Sequence, residues 1–220
     1  LQTWKRIREF RYVISCSGAH KFLLERGIVP TWHVEVDPRA HKVGVLGPPH
    51  PEVIYLPSST CHPAYFDHLG GFQVQLWHVF SNEVDAIRTL PHGEWALLGG
   101  PDVGMRALVM ARFLGFTELH VFGMDGAYTD AGTHAADHPN HRLKFAHPCE
   151  YDGQTYLTTP GLLECAKMLW HEMDQMPDVR ATFYGESLIQ AMATHYVRKP
   201  VAKGAPLIAF IKPSLISAEY

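Results

Sequence analysis

Short apolar, β-branched runs alternate with helically spaced segments along most of this chain, and that alternation limits the folds open to it. Tyr12–Cys16 (YVISC), Trp32–Val36, Val53–Leu56, Val74–Val79, Trp95–Leu98 and Glu118–Phe122 read as strands, several of them continuous enough to be buried on both faces. Between them, Ala19–Arg26 carries apolar residues at helical spacing and stops at Gly27. Asn82 is placed to cap a helix through about Thr89. Val103–Leu114 is the clearest helix, with Val103, Ala107, Met110, Ala111 and Leu114 on one face and Gly115 behind it. Strand–helix alternation of this kind predicts parallel βαβ units. The expected fold class is α/β, a Rossmann-like doubly wound, mostly parallel sheet with helices on both faces.

Toward the C-terminus the pattern changes. Glu150–Leu157 reads as a hairpin, with Asp152-Gly153 supplying the positive φ angles of its turn. Thr159 and Pro160 form a cap and a first helical residue, and the helix is expected to reach about Met173. Val179–Phe183 and Ser187–Ala193 follow as a last strand and helix. The expected organisation is one domain over residues 1–198 and a tail over 199–220. The tail's apolar stretch PLIAFI either packs on the domain or joins a neighbouring copy as a homo-oligomer contact.

Composition excludes several classes. The formal net charge is −3, which offers no basic surplus to neutralise a nucleic-acid backbone. No apolar run reaches the roughly 18–20 residues that span a bilayer. The four cysteines, Cys16, Cys61, Cys149 and Cys165, form no CxxC pair and are expected to be reduced thiols in a cytoplasmic protein. There is no GxSxG elbow and no Cys–His nucleophile motif, so nothing in the sequence supports a covalent hydrolase.

Ligands of doubly wound sheets sit beyond the carboxyl ends of the strands. The loops to inspect are therefore Ser17-Gly18, Asp37 to His41, Gly99 to Asp102 and Gly123 to His134. Asp37 ends the strand HVEVD, is stiffened by Pro38, and is a candidate nucleotide contact or metal ligand. Glu35 is expected on the opposite face. Gly99 and Gly100 lead into the helix that Asp102 opens. Such a helix start suits a phosphate, although a capping Asp102 would already occupy its donors. In VFGMDGAYTDAGTHA, Gly123 and Asp125 follow a strand. A carboxylate there can hold a ribose hydroxyl, a magnesium ion or an amine. The Tyr128 and Thr129 hydroxyls can hold phosphate oxygens beside Asp130, and His134 can serve as acid or base. Fifteen histidines are unusual for this length. His134, His138 and His141 with Asp137 invite a metal reading, but Pro139 interrupts their helical spacing and no HExxH glutamate is present. They read as solvated loop residues.

With these residues in place, a resemblance becomes usable. ISCSGAHKFLLERGIVPTWHVEVDP is similar to the first conserved block of the MptE-like family. GGPDVGMRALVMARFLGFTELHVFGMDGAYTDAGTHA resembles the second block of its motility accessory factor branch, matching at Gly123, Asp125, Ala127, Tyr128, Thr129, Asp130 and His134. Later segments resemble the blocks that follow. The family's usual G-x-G-P-S-L opening turn has no match, and the chain is expected to lack it. Asp102 stands where the family has a serine, and Thr31 where it has an acid. The resemblance implies a sialyltransferase-related transferase acting on a nucleotide or nucleotide-sugar. In the leading reading the donor is a CMP-nonulosonic-acid-type sugar, no cofactor is needed, and the acceptor is a glycan or protein. Asp125 and His134 are then catalytic, and Asp37, Gly99, Gly100, Asp102, Gly123, Tyr128, Thr129 and Asp130 line the site. The diphosphokinase branch implies ATP with Mg²⁺ on Asp37 and Asp125, acting on a pterin-like alcohol. A non-catalytic nucleotide- or protein-binding module is the third reading.

Overall fold

The computed structural model describes residues 3–80, 94, 96–128 and 146–198, and the backbone of 210–211. Its contacts fall into two compact units, Tyr12–Gly115 with Pro206–Tyr220 and Leu1–Arg11 with Phe116–Ala205.

The first is a sheet unit. Strands β1 (Ile14–Cys16), β2 (Trp32–Glu35), β3 (Ile54–Pro57) and β4 (Gln73–Val74) run parallel in that order. Helices α1 (Ala19–Leu24), α2 (Lys42–Leu46) and α3 (Pro63–His68) make the crossovers. The expected Val74–Val79 strand divides in two. A second piece, β5 (His78–Val79), begins beside β3 through a parallel Ser58–Trp77 bridge. It pairs with β6 (Ala96–Leu97), which also takes an antiparallel partner from Phe210–Ile211. Helix α4 (Val103–Phe113) follows, and Gly115 behind it has the positive φ expected of a terminator.

Alternation along β3 shows both faces of the sheet covered. The Tyr55 hydroxyl meets His20 of α1, and His33 of β2 meets Tyr65 of α3, each at 3.0 Å. Leu56, the next residue on β3, lines an apolar cavity with Met110 and Phe113 of α4. A core of Leu46, Val53, Tyr55, Cys61, Tyr65 and Leu69 lies under α2 and α3. Each fully buried large side chain there contributes roughly 1.5–3 kcal/mol.

The second unit is built around a parallel pair, β7 (Glu118–Phe122) with β10 (Arg180–Tyr184). Between them come the hairpin β8 (His147–Tyr151) and β9 (Gln154–Thr158) and helix α5 (Pro160–Gln175). Asp152 (φ 50°) and Gly153 (φ 73°) make the turn as the sequence predicts. Thr159 caps α5 by accepting from Leu162 N–H at 3.3 Å, with Pro160 as first residue. Helix α6 (Leu188–His195) opens on a capping box between Ser187 and Gln190. The 3₁₀ helix Thr3–Glu9 lies close by: the Phe10 ring packs against His120, and the Arg6 guanidinium sits over the Tyr184 ring. The helix expected at Asn82–Thr89 lies outside the described residues. No described helix is long and apolar enough to cross a membrane.

Candidate functional site

The carboxyl ends of β1, β2 and β3 gather an unusual set of charges. Lys42, in the first turn of α2, is buried, with its side chain 6% exposed. Its Nζ lies 2.5 Å from Ser17 Oγ, 3.5 Å from Glu35 Oε2 and 3.6 Å from Asp37 Oδ2. Glu35 is itself only 2% exposed and accepts from the backbone N–H groups of Val36 and Asp37. Asp37 holds Arg39 as a bidentate pair. Burial alone would raise the Asp37 carboxyl. The Arg39 hydrogen bonds and the Lys42 charge outweigh it and hold the group at about 2. Asp37 is therefore an anion at any physiological pH.

This corrects the expectation that Glu35 lies on the opposite face from Asp37. Residues two apart on an extended chain share a face, and one ammonium bridges both carboxylates. Ser17 reaches Lys42 from a strained position, since its φ of 49° is rare for a residue with a Cβ. Ser58 and Thr60, after β3, border the same edge: Thr60 Oγ1 donates to the Val36 carbonyl at 2.8 Å. Of this cluster the sequence points to Asp37 and to the loops that hold Ser17 and Arg39. The readable signal for the rest was the Glu-x-Asp spacing followed five residues on by a lysine.

The glycine-rich turn before α4 belongs to the same unit. Asp102 caps α4, accepting from Met105 N–H at 2.8 Å, so one of the donors a phosphate would need there is engaged. A Cβ on Gly99 would sit 2.8 Å from Arg106 Cγ and 3.3 Å from Arg106 Cα, so Gly99 is required by the close approach of α4. Asp102 acts electrostatically on Cys16 at the end of β1. Burial, then the Glu35 and Asp102 charges, push that thiol up to about 12 and make it a poor nucleophile. The described cysteines are all free.

In the other unit, Asp125 stands after β7 at the start of α6. Its carboxylate accepts from Ser187 Oγ at 3.3 Å, and its carbonyl accepts from Ser187 Oγ at 2.7 Å and from Ile189 N–H at 3.1 Å. Burial raises its carboxyl, partly offset by the Ser187 hydroxyl. Gly126 (φ 66°) lies so close to α6 that a Cβ would meet Ile189 Cγ1 at 2.9 Å. The hairpin closes over this loop: Tyr128 N–H donates to Leu157 O at 2.7 Å and Thr158 Oγ1 to Gly126 O at 2.7 Å. Gly123 is exposed with φ 72°. Thr129, Asp130, His134, Asp137, His138 and His141 lie outside the described residues. Among the described residues no cluster of three His, Cys, Asp or Glu side chains forms a metal site. Magnesium at Asp37 would have to displace the arginine that already spans both its oxygens.

A parallel sheet flanked by helices, with charged and hydroxyl groups at its carboxyl edge, defines an α/β protein of Rossmann-like type. The chain belongs to the MptE-like family: residues 1–131 match the model described as 6-hydroxymethylpterin diphosphokinase MptE-like. Its fold is similar to that of the solved MAf glycosyltransferase from Magnetospirillum magneticum AMB-1, with a TM-score of 0.57 and 20% sequence identity. That match covers 83% of this chain and 32% of the other, so the chain spans about a third of that relative's length. No curated protein matches.

Proposed function

We propose that this chain is part of a nucleotide-dependent transferase, glycosyltransferase-like, that takes sugar from a CMP-nonulosonic-acid-type donor. The observation that carries the reading is the Ser17–Glu35–Asp37–Arg39–Lys42 cluster, placed where α/β sheets bind ligands. Family membership and the fold of the glycosyltransferase neighbour support it. Asp37, with Gly99, Gly100 and Asp102, borders the nucleotide. Arg39, on the exposed side of the cluster, swings from Asp37 to an incoming phosphate. Asp125 orients donor or acceptor, and Gly123, Tyr128, Thr129 and Asp130 bind the phosphate as its oxygens gain charge. His134 removes the proton of a glycan or protein hydroxyl. The protein works in the cytoplasm.

The Arg39 hold on Asp37 favours sugar transfer, which this reading runs without a metal, over pyrophosphoryl transfer from ATP with Mg²⁺ on Asp37 and Asp125. Calorimetric titration with CMP, then ATP, each with Mg²⁺ and with EDTA, separates the two. CMP binding that survives EDTA and weakens at least tenfold in Arg39→Ala is the expected result. Magnesium-dependent ATP binding with none of CMP would overturn it in favour of the diphosphokinase, and binding of neither would leave a non-catalytic module.

A further inference from the structure

A second constellation in the sheet unit serves none of these roles. Ser59 follows β3 and is exposed. Its Oγ lies 2.8 Å from Nδ1 of His78, the first residue of β5, which is 7% exposed. The other ring nitrogen, Nε2, meets the carboxylate of Glu94 just ahead of β6. A carboxylate only accepts, so in the neutral ring Nε2 carries the proton and Nδ1 presents its lone pair to the serine hydroxyl. That is the relation of nucleophile, base and orienting acid that activates hydroxyls in unrelated folds.

The arrangement is held from several sides. Ser59 N–H donates to Trp77 O at 2.8 Å, fixing the serine beside the residue before His78. Ser58 and Trp77 form a parallel bridge, and His78 pairs in register with Ala96, two residues after Glu94. Serine, histidine and glutamate thus come from the ends of three adjacent strand segments.

We propose that Ser59 is an activated nucleophile that accepts an acyl group from an activated ester. Ser59 Oγ forms a bond to the ester carbonyl carbon while its proton passes to His78 Nδ1. The carbon–oxygen bond to the leaving group then breaks, and the proton goes to the departing alkoxide. The products are an acyl-Ser59 ester and the free alcohol. Glu94 is a positioning residue that fixes the tautomer and stabilises the imidazolium.

Turnover is slow for a structural reason. The N–H groups of Ser59, Thr60 and Cys61 are all engaged, by Trp77 O, Ser58 Oγ at 3.3 Å and Ser58 O at 3.0 Å. None of these three donors is free to meet a tetrahedral oxyanion, and one such donor is worth about 10²–10³ in rate. The same shortfall slows acylation and hydrolysis alike, so the reaction is confined to esters with a good leaving group, and the acyl-Ser59 adduct persists long enough to be isolated.

The test is exposure of the purified chain to p-nitrophenyl acetate, reading p-nitrophenolate release and locating the adduct by peptide mass spectrometry. The expected result is one equivalent of release and an acetyl group on Ser59, absent in Ser59→Ala. His78→Gln slows acylation by about 10²-fold or more, and Glu94→Gln slows it while Glu94→Asp retains it. Thermal unfolding confirms that each variant is folded. If His78→Gln does not fold, the Glu94 pair carries the comparison. Absence of a Ser59 adduct in the unsubstituted chain overturns the proposal, as does acylation that is indifferent to Glu94→Gln.

Discussion

Replacing Lys42 by methionine keeps the apolar stem and removes the ammonium that joins Glu35 and Asp37. The loss falls unevenly. Asp37 retains Arg39 on the solvent side, with its own side chain 16% exposed. Glu35 is 2% exposed and has no other cation within ion-pair distance among the described residues. Breaking a buried pair by removing one partner costs about 3–5 kcal/mol, because an uncompensated charge stays behind. The two backbone N–H groups that Glu35 keeps place the expected loss at the lower end, about 3 kcal/mol. Urea unfolding of Lys42→Met, Glu35→Gln and the double variant measures it as a cycle. The double variant should be more stable than Lys42→Met alone, since a neutral amide no longer needs the ammonium. A Lys42→Met loss below about 0.5 kcal/mol, the range of ordinary surface changes, or strict additivity in the cycle, would refute the buried-pair reasoning.

Two further outcomes follow from the same packing. His20 and His33 are buried, and burial, with their mutual repulsion at His33, lowers both from the usual histidine range. Burial holds each neutral among hydroxyl partners, against the opposing pull of the Leu46 carbonyl on His20. The unfolded chain takes up those protons near pH 6.5 and the folded chain does not. Stability should therefore fall as pH drops below about 6.5, by up to about 1.4 kcal/mol per pH unit for each histidine. Urea midpoints unchanged between pH 7.5 and 5.5 would contradict this. Gly126→Ala places a Cβ against Ile189 at a positive φ and should cost about 1–3 kcal/mol. A thermal midpoint equal to that of the unsubstituted protein would show that α6 can yield.

Capping and turn chemistry were legible in the sequence because they depend on neighbours along the chain. Asp152-Gly153, the Thr159–Pro160 helix start and the glycine terminator at Gly115 all stand where local rules put them. So does the strand–helix alternation that implied a parallel sheet. Short elements were harder. The five-residue α2 and six-residue α3 have too few turns to show a period, and α3 rests on His62 as its cap and a proline at its start. Two of the many histidines have a physical account that composition concealed: His20 and His33 pair buried hydroxyls beneath α1, α2 and α3.

The sequence by itself determined the α/β class, the sheet edge where function is to be sought, and Asp37, Asp102 and Asp125 as residues of interest. It did so because alternation, caps and strand ends are properties of segments. Only the tertiary structure decided that Lys42 ties Glu35 to Asp37 and that Ser59, His78 and Glu94 form a hydrogen-bonded chain. Ser17 lies 25 positions from Lys42, Ser59 19 from His78, and His78 16 from Glu94. Parallel pairing places strands from distant segments a few ångströms apart, and no local pattern carries that distance.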